Sequence, residues 1–360
     1  MTSPTDSLLA LVRIGLGRDG TVPEVSDWDA VHDLAVMQGV NAIAFDGYKR
    51  MYDSGTPVPE MPVVSKKKWI ASSYFYDVSA QTQKDRASRV GQILSEGQIR
   101  TYILKGAVIA ECYPVPDHRY SADMDCFLLP AVGQCFDAWE RGNSLIEEKG
   151  YRVARSFYKN SSFLLPGLKV ENHVYFTPFR GNGRLKKLER QLQGMIRADD
   201  GSDKFEGVAL YRPPVMVSAL FLIEHAYSHF LHEGLTLRHI IDWNMFGNLH
   251  KTEIDWPTFL GYMDEFGLRR FYDAYVHVGE YIMGDRAYST MTAPEQRMMN
   301  SVWDGLDLHD TLKGFRGKMN LVGNTLRAGW KYRYFSPISM THALWIQVKG
   351  VLFDKHPRLD

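Results

Sequence analysis

Two aspartates one residue apart, Asp123 and Asp125, stand in the run Asp123-Met124-Asp125-Cys126-Phe127-Leu128-Leu129. The run reads as a β-strand, and alternate side chains of a strand share a face. Both carboxylates therefore project together, while Met124, Cys126 and Leu128 turn toward a core. Two carboxylates held side by side repel unless something positive lies between them. A divalent cation is the natural filler. Oxygen-only ligands suit magnesium, with manganese as the alternative; magnesium retains waters and bridges to substrate phosphates.

A third carboxylate comes from the strand-like stretch KVENHVYF, where Glu171 and His173 share one face and Val170, Asn172 and Val174 the other. Three carboxylates on neighbouring strands are what nucleotidyl transfer needs. Two aspartates hold metal on a nucleoside triphosphate (NTP), and the metal neutralises charge on the reacting phosphate and the leaving pyrophosphate. The third carboxylate holds a second metal or takes the proton of the attacking hydroxyl. Upstream, Tyr102-Ile103-Leu104 reads as a strand closed by a Lys105-Gly106 turn, with a helix over Ala107 to Tyr113 broken by Pro114, Pro116 and Asp117. That turn sets backbone N–H groups and a helix start where phosphates can dock, with Lys105 and Arg119 adding positive charge.

The elements around this stretch are mostly helical. Ser26 or Asp27 can cap a helix ending at Gly39, Asn41 can cap the next, and a long helix runs from about Lys67 to Glu96 with Gly97 as its stop. Beyond the aspartates, Val132 to Lys149 reads as a helix. Tyr151 to Tyr158, Ser161 to Leu165 and Leu168 to Phe176 read as antiparallel strands, joined by Lys159-Asn160 and Pro166-Gly167. A basic helix follows over Arg180 to Arg197, carrying Arg184, Lys186, Lys187 and Arg190: a solvated face, or a neutraliser of a polyanionic substrate. Helices over Met216 to His232 and Leu237 to Leu249 lead into a helical C-terminal third.

The fold class expected is α+β, a small mixed β-sheet core flanked by N-terminal and C-terminal helical regions. The expected divisions are 1–98, 99–180 and 181–360. The 42 basic and 42 acidic residues balance, so no global field favours nucleic acid or a membrane. The most apolar run, Val215 to Ile223, is too short to span a bilayer, and the N-terminus has no signal-peptide pattern. Cys112, Cys126 and Cys135 lack paired or metal-type spacing, so reduced thiols without a disulfide partner in a cytoplasmic protein are expected.

The segments LKGAVIAECYP and HRYSADMDCFLL resemble the signature of the uncharacterised nucleotidyltransferase family, within the polymerase-beta-like nucleotidyltransferase superfamily. VENHVYF resembles that family's later glutamate strand, and HAYSHFLHEGLTLRHIIDWNMF its histidine-rich helix followed by an arginine and aspartate helix. The resemblance covers roughly residues 25 to 250. It implies that Asp123 and Asp125 are the metal pair, that Glu171 is the third acidic position, and that Arg119 is the arginine ahead of the aspartates. Lys105 and Gly106 occupy the phosphate-side turn, where the wider superfamily more often has glycine-serine. It implies a reaction class and leaves the acceptor open between a small molecule, a sugar, a protein and tRNA.

Each assignment has a plainer counterpart. A D-x-D pair is common on exposed strands and loops. Glu171 can salt-bridge to His173 or Lys169, Lys105 can snorkel from a strand end, and Arg119 can pair with Asp117 or Asp123. His225 and His229 are four apart on one helix face, a spacing that can bind zinc in a hydrolase, but without the adjacent glutamate of the zinc-protease motif. Arg238 and Asp242, also four apart, can pair on the helix surface. If these helices face the cleft, His229, Arg238 and Asp242 become acceptor-side contacts. The basic-aromatic stretch from Lys313 to Tyr334 either holds RNA or closes a helical bundle. The alternative function is a regulatory module that holds a nucleotide or a partner without transferring anything. Replacing Asp123 and Asp125 together by asparagine is expected to abolish metal-dependent nucleotide binding and leave the fold intact. Unchanged Mg-ATP affinity in that double variant would overturn the metal assignment.

Overall fold

A computed structural model of the chain describes residues 3–155, 160–179, 181–205, 209–304 and 326–352. Four helices precede the sheet: α1 (Pro4–Gly15), α2 (Trp28–Met37), α3 (Asn41–Asp53) and α4 (Val63–Glu96). Asp27 caps α2, its side chain accepting from the Asp29 and Ala30 amides. Asn41 is not the cap of α3. Val40 takes that position, and the Asn41 side chain is buried inside the first turn. The 34-residue α4 joins two regions. Its first half presents Trp69 to the N-terminal helices, and its second half lays Val90, Ile93 and Leu94 on the sheet.

The sheet order is β1-β2-β5-β4-β3, with β1 (Ile99–Ile103), β2 (Asp123–Pro130), β3 (Ala154–Arg155), β4 (Asn160–Leu165) and β5 (Leu168–His173). β2 pairs antiparallel with β1 and parallel with β5; β5–β4 and β4–β3 are antiparallel. The expected α+β class, with one mixed sheet between helical regions, is the observed one. The first of the three expected antiparallel strands shrinks to Ala154–Arg155, and its continuation through Tyr158, with Lys159, lies outside the described residues. β2 is apolar on both faces. Met124, Cys126 and Leu128 pack against α4 and α6 (Cys135–Glu148), while Phe127 and Leu129 enter the larger core. The helix expected over Ala107 to Tyr113 is a single turn, α5 (Ala107–Ala110). A turn that short presents no developed helix dipole, so the expected phosphate dock at a helix start has no helix behind it.

Helices α7 (Gly183–Ala198), α8 (Val215–His232) and α9 (Leu237–Leu249) follow the sheet, then α10 (Trp256–Phe266), α11 (Arg269–Met283), α12 (Ala293–Trp303), α13 (Gly329–Phe335) and α14 (Met340–Leu352). Leu185, Leu188, Leu192 and Ile196 bury one face of α7, and its basic residues sit on the outer side, away from both cavities described below. In α13, Tyr332 and Phe335 are buried and Trp330 packs edge-on to Phe230, so this part of the basic-aromatic stretch closes the bundle. Lys313, Arg316 and Lys318 lie outside the described residues. Among the described residues no helix is long and apolar enough to cross a membrane.

Helices α1 and α3 cross at glycines. A Cβ on Gly47 would meet the Leu11 carbonyl oxygen at 2.0 Å, and one on Gly15 would meet the Ile43 carbonyl oxygen at 1.9 Å. Backbone cannot yield as a side chain can. Gly47→Ala should therefore lower stability by about 1–3 kcal/mol in thermal or urea melts. A variant as stable as the parent, as alanine's helix propensity alone would give, would show that the helices separate at little cost.

Candidate functional site

The parallel register of β2 and β5 sets Asp125 directly beside Glu171 and Asp123 beside Lys169. His173 lies one pleat further along, opposite Phe127, and on the same face as Glu171. Among the described residues, one group of three metal-ligating side chains has its ligand atoms all within 4.8 Å of one another: Asp125, Glu171 and His173. This group shares Asp125 and Glu171 with the expected trio of Asp123, Asp125 and Glu171, and adds His173. Asp123 stands at the strand start, one pleat away from Glu171, while His173 closes the group. His173 Nε2 hydrogen-bonds Asp125 Oδ1 at 2.7 Å, and His173 Nδ1 is buried without a hydrogen-bond partner. Two carboxylates and an imidazole, one of whose ring nitrogens is orphaned, fit a divalent cation. The nitrogen donor widens the choice beyond magnesium toward softer metals.

The charge of Asp125, only 2% exposed, is answered by the protein itself. Lys105 Nζ lies 3.0 Å from Asp125 Oδ2 and 3.0 Å from His225 Nε2. Lys105 thus turns to the acidic cluster instead of standing off at the strand end. Burial pushes the Asp125 carboxyl up, but Lys105 and then His173 outweigh it and hold the group well below the usual carboxylate range. Asp123 moves the other way, raised by burial and by the neighbouring Asp125 charge. Glu171 accepts from Asn160 Nδ2 at 2.6 Å and from Lys169 Nζ. Because Asp125 anchors Lys105 and His173, the expectation that asparagine leaves the fold intact carries over to Asp123 but not to Asp125.

Arg119 was expected among the phosphate contacts. It is 6% exposed and locked in a two-pronged pair with Asp242 of α9, Nε to Oδ1 at 2.9 Å and Nη2 to Oδ2 at 2.5 Å. Tyr113 donates to the same carboxylate at 2.7 Å. Asp242 therefore pairs with Arg119 and not with Arg238 on the helix surface, and Arg119 pairs with neither Asp117 nor Asp123. Among the described residues Arg238 is left without a carboxylate partner. Its Nη1 donates to the Tyr120 carbonyl at 3.0 Å, its guanidinium lies 5.5 Å from the Tyr120 ring centroid, and its Nε is buried without a partner. Burial, then the nearby Arg119 charge, lowers the Arg238 pKa.

His225 and His229 meet edge to face with centroids 4.4 Å apart, and His229 stacks on His239 at 5.0 Å. His229 Nδ1 lies 2.9 Å from Glu233 Oε2. The described residues hold no three-ligand group here, so the zinc-hydrolase expectation finds no site. Cys112, Cys126 and Cys135 are free thiols, and burial pushes all three above the usual thiol range.

Two cavities meet at Asp123. The smaller, about 30 Å³, is lined by Lys105, Arg238, His225, His239 and Asp242 among others. The larger, about 220 Å³, lies between α4 and the start of β2. Gly106, Arg119, Ser121 and Asp123 line both. His173 and Arg238 are the residues that sequence reasoning undervalued. The E-x-H alternation of β5, set beside D-x-D on β2, was the available signal for His173. Arg238 is named by the sequence only as the surface partner of Asp242 or as an acceptor-side contact, since its separation from Asp242 depends on Asp242 having another partner.

Arg119→Met should cost about 3–5 kcal/mol in urea unfolding, because the Asp242 charge is then buried alone. Arg119→Met combined with Asp242→Leu should recover most of that loss. Equal destabilisation by the single and double variants would show that the two side chains do not act as a pair.

The model of a family described as uncharacterised nucleotidyltransferases matches residues 24–284 of the chain. No curated protein and no solved structure matches it. The sheet, the paired acidic strands and that match over most of the length give one assignment: the chain belongs to the uncharacterised nucleotidyltransferase family.

Proposed function

We propose that this protein transfers a nucleoside monophosphate from an NTP to a hydroxyl acceptor, releasing pyrophosphate. The observation that carries the reading is the in-register pairing of Asp125 with Glu171 on parallel strands, closed by His173 into a divalent-cation donor set. In this reading residues 99–180 form the catalytic core, 1–98 buttress it, and 181–360 supply the opposite wall. The three free thiols, two of them buried, suit a reducing compartment, so the reading places the protein in the cytoplasm.

Asp125, Glu171 and His173 would hold the cation. When bound, magnesium or manganese supplies positive charge at the reacting phosphate and the departing pyrophosphate. Arg238, which has no carboxylate partner among the described residues, and Lys105 at the Gly106 turn both line the smaller cavity and would grip phosphate oxygens. The acceptor oxygen forms a bond to the α-phosphorus as the bond from that phosphorus to the bridging oxygen breaks, and the electron pair leaves with pyrophosphate. The hydroxyl proton must go to a nearby base. Asp123 lines both cavities, and its carboxylate hydrogen-bonds no described residue, so it is the group we assign to receive it.

A second reading also has an observation in its favour. Lys105 already compensates Asp125, as in a fold that holds nucleotide as a regulatory module without transferring it. Incubation with each labelled NTP and a cell extract should label an acceptor and release pyrophosphate. Glu171→Gln and Asp123→Asn should each cut that labelling by roughly a hundred-fold or more, as loss of one electrostatic or proton-transfer group does. NTP binding with no label transferred and no pyrophosphate released would favour the regulatory reading instead.

A further inference from the structure

The smaller cavity, about 30 Å³, cannot admit a nucleoside. The larger cavity, about 220 Å³, can, and it shares Gly106, Ser121 and Asp123 with the smaller one. Its charged lining groups other than Asp123 are already paired. Lys84 meets Asp117 at 3.0 Å, Glu111 meets Arg212 at 2.6 Å, and Arg119 is held by Asp242. The rest of the lining is neutral: apolar side chains together with Tyr76, Ser79, Gln83, Tyr120 and Ser121. A charged ligand would find no partner there, whereas an uncharged ring with a polar edge would.

Two tyrosines give the cavity its shape. The Tyr76 and Tyr120 rings lie 5.2 Å apart at 50°. Tyr120 also carries the Arg238 guanidinium, so one ring joins the neutral cavity to the cationic one. At Gly106, where φ is +73°, a Cβ would come within 2.9 Å of Ser121 Oγ, so glycine keeps this shared border thin.

We propose that the larger cavity takes the nucleoside of the NTP, its base beside Tyr76 and Tyr120, with the phosphates at the border it shares with the smaller cavity, beside Gly106, Ser121 and Asp123. This rests on the phosphate reading above and adds where the base and sugar sit. Aromatic rings hold bases largely without regard to sequence, so discrimination among bases falls to the neutral polar groups around them.

Ala80 and Ser79 line the cavity and are half-buried on α4, so larger side chains there fill space without opening the core. Calorimetry on the full chain should compare Ala80→Phe and Ser79→Leu with the parent, titrating each NTP and, separately, inorganic tripolyphosphate with magnesium or manganese. Affinity for the preferred NTP should fall by about ten-fold or more, the size of one lost stacking contact. Tripolyphosphate affinity should be unchanged, which also shows the variants folded. Unchanged NTP affinity in both variants overturns the proposal. So does a transfer assay in which the KM for NTP holds and the KM for the acceptor rises, which would give the cavity to the acceptor. A parent chain that binds neither NTP nor tripolyphosphate removes the phosphate reading itself, and is thereby distinguished from the other two failures.

Discussion

A carboxylate taken out of water must be paired or neutralised, and Asp125 is almost fully out of water. Its two partners come from strands on either side of its own. Lys105 follows β1, and the Leu104 amide donates to the Asp125 carbonyl at 2.9 Å, which fixes where the lysine begins. His173 ends β5. A one-residue slip of either neighbour would turn its charge to the other face of the sheet. The register of β1, β2 and β5 and the neutralisation of Asp125 therefore require each other. A cation entering at Asp125, Glu171 and His173 meets a site whose charge is already balanced by Lys105 and Lys169, and it must displace or share with them.

The pairing of the remaining charges is selective. Arg119 takes both oxygens of Asp242, and Tyr113 takes a further hydrogen bond to one of them. Among the described residues that leaves no carboxylate for Arg238, four residues before Asp242 on α9. An arginine resting on a tyrosine face, with one buried N–H unsatisfied, is expensive for the fold alone. The expense has a use if a polyanion completes the set, since the guanidinium is then already desolvated and oriented when the ligand arrives. Arg119 and Arg238 thus divide the work, one holding α9 to the loop before β2, the other free to meet phosphate.

The α+β class, the strand bearing both aspartates and the Glu171 strand could be read from the sequence because they rest on local rules: period-two alternation, Pro-Gly turns and apolar runs. The partner of Arg119 could not. Helical spacing offers Arg238 to Asp242, and proximity in the chain offers Asp117 or Asp123 to Arg119, yet the observed pair spans 123 positions. His173 was visible as a neighbour of Glu171 on one face, but only the parallel register shows that this face adjoins Asp125. The opposite error occurred at Asn41, where a good capping residue sits one position too late and is buried. Local rules name the residue types at a site, while the exclusivity of ion pairs decides which of them remain free.

None of the candidate site residues read from the sequence lies in the N-terminal helices, but these helices reach the site through one residue. His118 ends the short 3-10 turn Pro116–His118 and lies between Asp46 of α3 at 2.6 Å and Asp77 of α4 at 3.1 Å. Burial opposes its charge, yet the hydrogen bond and charge of Asp46, then of Asp77, raise its pKa. The next residue is Arg119, clamped to α9. Adjacent residues of one loop are therefore held from opposite sides, by the N-terminal helices and by the C-terminal wall. Gln83 of α4 adds a hydrogen bond to the Ser121 carbonyl at 2.8 Å. Asp123 begins where this loop enters the sheet, so its position depends on all three anchors, while Asp125 is fixed by the strands beside it. Two aspartates that look equivalent in a D-x-D motif thus answer to different parts of the molecule. A change in how the helical regions close on the loop would move Asp123 and leave Asp125 in place.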